Sequence, residues 1–531
     1  MAETVPVAVA QTGGGSAAEP NANRLTSIDA VRGFALLGIL FVNIHFFGNP
    51  LGESLTPGPP AGGSTLDLAA WWFTSTLCTG KFYPLFSMLF GAGLAIQFTR
   101  AQTRGEGFWT RPARRLAALS LIGLVHGLLI WYGDVLFMYS LVGFGLLLAV
   151  RLKVRWLLAG IAGLGLVGLA FCALAVLMGS LANQAAMDAG NAASAAGSTT
   201  VRTPLSPGTP SDGAAEGGGD GDPGDGVEPD GVEPDGVGPG STDAGGAGMG
   251  GTAPGGTERD RTGAGTEPDP AGTGEATTPE PVRTPLQRLL KGFSEGQVSD
   301  PSSPLWQEAE TEAFRDGPFS QATALRAFNF LAGLVFFGFS GGWQLLALFL
   351  TGAVLVKSGV LAPGSTTART WGLRFVLLGL CVGLPASVAH TALIENTSGL
   401  LGFVSLVCLF YGGPCLSLGY LGAGVLLLHD RAGRPPAVAG LLASAGRAAM
   451  SCYLLTSVTA TFIFYHWGLG LFGSLSYATR TAMVPVIFIG IAVLAHLWLS
   501  RFRFGPMEWL WRTVTYLKPQ PMARRADAAG E

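Results

Sequence analysis

The sequence predicts an all-α protein: a polytopic transmembrane helix bundle of about ten spans, with N and C termini cytoplasmic. Three observations carry this. Of the 531 residues, 48% are hydrophobic and only 13% are charged, whereas an ordinary soluble domain is about 25% charged. Apolar runs of about 20 residues, the length needed to cross a bilayer, recur along the chain. Lysine and arginine alternate between the connections, as they do when one side is retained in the cytoplasm.

Residues 1–23 are small and polar. They lack the charged start and apolar core of a signal peptide and read as a disordered tail. Apolar runs follow at 28–48, 82–99, 115–132, 134–150 and 156–181, giving a first membrane bundle within 24–181. Residues 182–285 are rich in Gly, Pro, Asp, Glu, Ser and Thr and repeat Gly-Val-Glu-Pro-Asp at 226–230 and 231–235. Such a stretch buries too little apolar surface to offset its ordering entropy, so a disordered acidic linker is expected. In 286–324 the spacing of Leu286, Leu289, Leu290 and Phe293 predicts a short amphipathic helix lying on the membrane. The second bundle, 325–500, has runs at 325–356, 371–393, 398–428, 448–470 and 480–500. The tail, 501–531, carries Trp509 and Trp511 in an interfacial helix. Segment 68–79 is too short to cross by itself and could be re-entrant. Gly341 and Gly342 mark a place where 325–356 could break.

The connections sort by charge. Residues 49–80, 131–133, 394–397 and 468–479 hold no Lys or Arg. The alternate connections hold Arg100, Arg104, Arg111, Arg114 and Arg115, then Arg151, Lys153 and Arg155, then Lys357, Arg369 and Arg374, then Arg431, Arg434 and Arg447. A net charge of −3 gives no basic surface for nucleic acid. The six cysteines form no CxxC pair, which argues against a zinc site or a disulfide framework. No Walker A loop, GxSxG elbow or HExxH motif is present.

Charge within a bilayer is expensive, so each intramembrane ionisable group needs a partner or a task. Asp29 and Arg32 share a helix face at the cytoplasmic end of the first span, with Asn43 farther along it. They form an ion pair or bind an anionic head group. Lys81 opens a span at the outer side; it snorkels, pairs with a carboxylate such as Asp134, or meets an anionic substrate. Arg114 and Arg115 precede His126, and Asp134 follows across a tight turn. A histidine held by a carboxylate can act as a general base near neutral pH; a core histidine bonded to a backbone carbonyl is the alternative. Arg447 and Glu508 belong to a C-terminal cluster that reads either as an anchor or as part of a substrate site.

The stretches Ile28 to Asn43, Lys81 to Gly93, Arg114 to Gly143, Gly446 to Ser457 and Gly505 to Tyr516, in that order, resemble the YeiB-like membrane family, domain-of-unknown-function family 418. The first motif is also similar to that of transmembrane acyltransferases of the heparan-alpha-glucosaminide N-acetyltransferase type, matching at Asp29, Arg32, Gly33, Val42 and Asn43. That likeness implies transfer of an acyl group from a cytosolic acyl-CoA to an acceptor across the membrane. In those enzymes the catalytic histidine follows the first span. Here 49–66 holds no histidine, which leaves His126 with Asp134 as the expected base.

The resulting expectation is an enzyme of the bacterial inner or plasma membrane, with no permanently bound cofactor or metal and with an acyl-CoA or acyl-lipid donor. Asp29, Arg32, Asn43, Lys81, Arg114, Arg115, Arg447 and Glu508 would bind substrate, and His126 and Asp134 would carry the chemistry. A small-molecule or lipid transporter or flippase is the alternative. The expected partners are the lipid bilayer and a small-molecule or lipid substrate, with no nucleic acid.

Overall fold

Every stretch predicted to span is helical in the computed structural model of the chain. It describes residues 19–56, 58–105, 107, 109–198, 283–361, 368–429 and 437–523. The first half contains α1 (Glu19–Gly48), α2 (Leu51–Leu55), α3 (Thr65–Phe73), α4 (Phe82–Thr103), α5 (Thr110–Leu129), α6 (Leu136–Ala149) and α7 (Val154–Ser198). The second begins with α8 (Pro285–Ser294), α9 (Pro304–Thr311) and α10 (Phe319–Lys357), followed by α11 (Ala368–Leu378), α12 (Leu384–Leu393), α13 (Gly399–Val407) and α14 (Gly413–His429). It closes with α15 (Ala437–Arg447), α16 (Ala449–Phe464), α17 (Tyr477–Arg501) and α18 (Pro506–Tyr516). Single π-helical turns extend α3 and α9, join α11 to α12, and join α13 to α14. No strand forms among the described residues. Residues 1–193 and 282–531 form one unit. Residues 194–281 form another, described only at the end of α7.

Seven stretches are long and apolar enough to cross a membrane: Ile28–Gly48, Thr65–Thr103, Val154–Ala192, Phe319–Lys357, Ala368–Leu393, Gly399–Leu427 and Tyr477–Arg501. The pair α15 and α16, bent by 90°, would make an eighth. The expected spans 115–132 and 134–150 correspond to α5 and α6. The first opens on three arginines and the second has 14 residues. The expectation of ten crossings therefore meets seven or eight helices that qualify by length and composition. Segment 68–79 is not a loop that turns back: Thr65–Thr103 is one apolar stretch, interrupted at Thr79–Lys81. Gly341 and Gly342 do not break α10. Helix α7 runs on to Ser198, past the point where composition turns acidic; 199–282, with the tandem repeat, lie outside the described residues.

The exposed faces are greasy. Leu166, Leu174, Leu177 and Met178 on α7 are each more than half exposed. So are Val335, Phe336, Phe337 and Phe339 on α10, and Val486, Ile489, Leu494 and Leu497 on α17. Contiguous apolar area of this extent has no stable contact with water, and lipid is its natural cover. This is the architecture of a multi-pass membrane protein. Helix α8 is amphipathic as predicted, with Leu289 fully buried and Leu290 half exposed.

Glycine sets the closest helix contacts. A Cβ on Gly446 (α15) would lie 1.7 Å from the Asp29 carbonyl oxygen, and one on Gly33 (α1) 2.0 Å from that of Leu442. Helices α4 and α10 interlock the same way, through Gly91 against Phe349 and Gly352 against Met88. Association of helices in lipid depends on such close backbone approach. Replacing Gly446 with Val should therefore part α1 from α15. We expect a thermal midpoint several degrees lower, or loss of the monodisperse species, in size-exclusion and melting measurements on detergent-purified protein.

Candidate functional site

Helices α5 and α6 pack as a hairpin, and the turn between them places a histidine on a carboxylate. His126 lies in the last turn of α5, and Asp134 precedes α6. His126 Nδ1 and Asp134 Oδ1 are 2.9 Å apart, with both side chains at most 1% exposed. Asp134 Oδ2 accepts the Phe137 backbone N–H at 2.7 Å, so the carboxylate also caps α6. Gly123, one turn before His126, makes room: a Cβ there would lie 2.7 Å from Asp134 Oδ2. On the other side Phe330 of α10 packs on Gly127, where a Cβ would meet its ring at 2.4 Å. The Tyr453 ring lies 5.2 Å from the imidazole, and its hydroxyl accepts the Val135 N–H at 3.4 Å. His126 Nε2 is buried with no hydrogen-bond partner.

Asp29 and Arg32 pair at 3.0 Å and are partly exposed, at 15% and 31% of their side chains. Arg115 donates to Gln97 Oε1 at 3.0 Å and stacks on Trp511 at 4.0 Å. Arg32 and Arg512 are its charged neighbours. Arg447 is exposed within reach of Asp29, and Arg114 is exposed on the first turn of α5. These residues gather at the end of the bundle opposite His126. Asn43 is half-buried on α1.

Lys81 is 1% exposed, and its Nζ donates to the Ser75 carbonyl at 2.7 Å. The pairing with Asp134 suggested by the sequence is not made, because Asp134 is already held by His126 and the α6 N-terminus. Glu508 is buried and accepts Met450 N–H at 2.7 Å, Ser451 N–H at 3.1 Å and the Ser451 hydroxyl at 2.5 Å. It caps α16 from a distant segment. Burial raises its pKa, against the pull of those donors.

Two buried charged groups lie outside the residues that the sequence singles out. Glu310, fully buried in α9, accepts Leu51 N–H at 2.6 Å and Asn329 Nδ2 at 2.5 Å. Burial pushes its carboxyl up to about 7. Arg326, 1% exposed in α10, donates from Nη1 to the Leu129 carbonyl at 2.8 Å. Arg326 alone had a signal: it lies inside a predicted span. Among the described residues no group of three or more His, Cys, Asp or Glu could hold a metal ion.

The fold defines a multi-pass membrane protein, and known sequences narrow that class. Residues 355–518 match the family model described as "Protein of unknown function (DUF418)". The chain is 26% identical over 516 residues to the uncharacterized protein YxaH of Bacillus subtilis, covering 94% of this chain and 96% of that one. It is 26% identical over 502 residues to the uncharacterized protein YeiB of Escherichia coli, covering 93% and 96%. An uncharacterized 39.9 kDa protein of Bacillus acidopullulyticus is 38% identical over 130 residues, 24% of this chain and 35% of that one. The YeiB-like resemblance read from the sequence is borne out on these matches. No solved structure matches the chain.

The two buried glutamates give distinct expectations. Glu310 has a folded-state pKa of about 7 against an ordinary 4.5. The native state therefore holds its proton longer, and stability falls as pH rises from 4.5 to 7. Glu310→Gln should flatten that slope in melting curves across pH and be no less stable at pH above 7. Glu508→Ala strands two α16 N–H groups and should destabilise by about 1–3 kcal/mol in equilibrium unfolding, with Glu508→Gln losing less.

Proposed function

We propose that the chain is an acyltransferase of the bacterial inner or plasma membrane, moving an acyl group from a cytosolic acyl-CoA or acyl-lipid to an extracytoplasmic acceptor. The observation behind this is the buried His126–Asp134 pair with Nε2 unpartnered. Asp134 would hold Nδ1–H, leaving Nε2 to take a proton from an acceptor hydroxyl or amine. As that oxygen or nitrogen attacks the acyl carbonyl, the bond to the donor's leaving group breaks, and the proton passes from Nε2 to that group.

Other features support the reading. The cationic end, with Arg32, Arg114, Arg115 and Arg447, suits the phosphates of a donor. Beside the Asp29–Arg32 turn lies a small apolar pocket lined by Ile28, Val31, Trp371, Phe375 and Leu421. Near the histidine, Ser87 bonds the Tyr139 hydroxyl at 2.6 Å and Tyr453 stands beside His126. The motif likeness at Asp29, Arg32, Gly33, Val42 and Asn43 points the same way.

One observation favours the alternative, a small-molecule or lipid transporter or flippase. Lys81 is a buried cation at the break between α3 and α4, and discontinuous helices hold substrates in many transporters. Turnover separates the two readings. Purified protein in detergent should transfer or hydrolyse an acyl-CoA, and His126→Ala should lose about 10²–10⁴-fold of the rate. Accumulation of an unaltered solute in vesicles, with no turnover of any donor, would sink the enzyme and establish transport.

A further inference from the structure

Beyond the histidine, the same end of the bundle holds a buried guanidinium without a matching anion. Arg326 is 1% exposed. Both of its hydrogen bonds leave from Nη1, to the Leu129 carbonyl at 2.8 Å and to the Thr323 hydroxyl at 3.4 Å. Nε is buried with no partner. Guanidinium has five N–H donors in a planar fork that matches two oxygens of a carboxylate or phosphate. The Leu129 carbonyl ends α5 and supplies at most about half a charge through the helix dipole. No carboxylate stands at ion-pair distance from Arg326 among the described residues. Glu310, the buried acid in this region, is held instead by Leu51 and Asn329.

A second unsatisfied donor sits next to it. The Tyr465 ring lies 5.8 Å from the guanidinium carbon, and its hydroxyl is fully buried with no partner. Tyr465 stacks on Phe314 at 4.8 Å, and Phe314 stacks on Tyr132, which follows the His126 turn. Asn329, one turn along α10 from Arg326, keeps Oδ1 unpartnered. Native interiors leave few polar atoms unsatisfied, and a cluster of them marks an occupant such as a water, an ion or a ligand group. The Arg326 Nε–H and the Tyr465 O–H each lack an acceptor, which the oxygens of an anionic group would supply; Asn329 Oδ1, itself an acceptor, is no part of that demand.

We propose that Arg326 and Tyr465 bind an anionic group, a carboxylate or a phosphate, about one helical turn beyond His126. On the acyltransferase reading, on which this assignment to the acceptor rests, the acceptor carries that acid and Arg326 fixes the distance between it and the hydroxyl or amine at Nε2. Arg326 is then a binding residue that sets acceptor class, and His126 remains the base.

The test reads binding and needs no acyl donor. Full-length protein in neutral detergent is titrated with inorganic phosphate and with acetate, against sodium chloride at equal ionic strength, and the thermal midpoint is followed. A parallel arm uses nanodiscs with and without phosphatidylglycerol. We expect a saturable rise that Arg326→Gln weakens at least tenfold and Tyr465→Phe weakens severalfold. A response to phosphate or acetate assigns a soluble anion, and one to phosphatidylglycerol alone assigns a lipid head group. Should Arg326→Gln fail to fold, Arg326→Lys keeps the charge without the fork and is expected to bind about tenfold more weakly. No saturable response in any arm, or an equal response in the Arg326 variant, overturns the site. Protein that binds anions through Arg326 but turns over no donor overturns the acyltransferase reading and leaves the site standing.

Discussion

Lipid offers no water, so the polar groups of this bundle must be satisfied from within, and the buried charges meet that demand at helix ends. Asp134 accepts at the start of α6, Glu508 at the start of α16 and Glu310 at the start of α2. Asp67 accepts Ala478 N–H at the start of α17 at 2.7 Å. The cations go to carbonyls: Arg326 to the last residue of α5, and Lys81 to Ser75 in the π-helical turn after α3. Helix termini carry about half a charge of the matching sign. Each such contact ties a helix end to a side chain elsewhere in the chain, which orders helices whose apolar faces alone specify little.

What could be read from sequence divides by the range of the interaction. Asp29 with Arg32, and His126 with Asp134, were legible because three residues, or one tight turn, separate them. The lipid-facing helices were legible from length and apolarity. The role of Glu508 was not, since its partners lie 57 and 58 positions away. Glu310 meets Leu51 across 259 positions, and nothing in its local sequence marks it. The expected ten spans and the seven or eight helices that qualify by length and composition differ at three places: α5 carries three arginines on its first turns, α6 is short, and 68–79 continues into α4 past a break at Thr79–Lys81. Gly446 is an ordinary glycine in the sequence; only the Asp29 carbonyl against it shows that no larger residue fits.

The two ends of the bundle are chemically unlike, and that difference organises any function. One end presents Arg32, Arg114, Arg115, Arg447 and Arg512, several of them exposed, beside an apolar pocket. The other buries Arg326 and Glu310 beneath an exposed layer of mixed charge, with Arg288, Glu312, Arg315 and Asp316 at its surface. Between them α4 carries only separate polar side chains, Ser87 and Gln97, because 88–96 is wholly apolar. In hydrocarbon these groups are tolerable only because they bond one another, as Ser87 and Tyr139 do. A wholly structural core would fill the same volume with leucine at less cost.

Histidine itself supplies the sharpest contrast. Among the buried histidines, His390 bonds the Ser405 carbonyl and hydroxyl at 3.0 Å through Nδ1. His45 stacks on Tyr477 at 3.7 Å and meets the Thr481 hydroxyl at 3.4 Å. Both are core histidines held by neutral groups. His126 alone among the described histidines faces a carboxylate within ion-pair distance. A backbone carbonyl could hold Nδ1–H there, but it could not also bond the start of α6. What a carboxylate adds is a second oxygen: one meets Nδ1 while the other caps α6 at the Phe137 N–H. Gly123 and Gly127 on either side of His126 give up side-chain packing to bring Asp134 and Phe330 against it, so the position of the imidazole is set jointly by the α5–α6 hairpin and by α10.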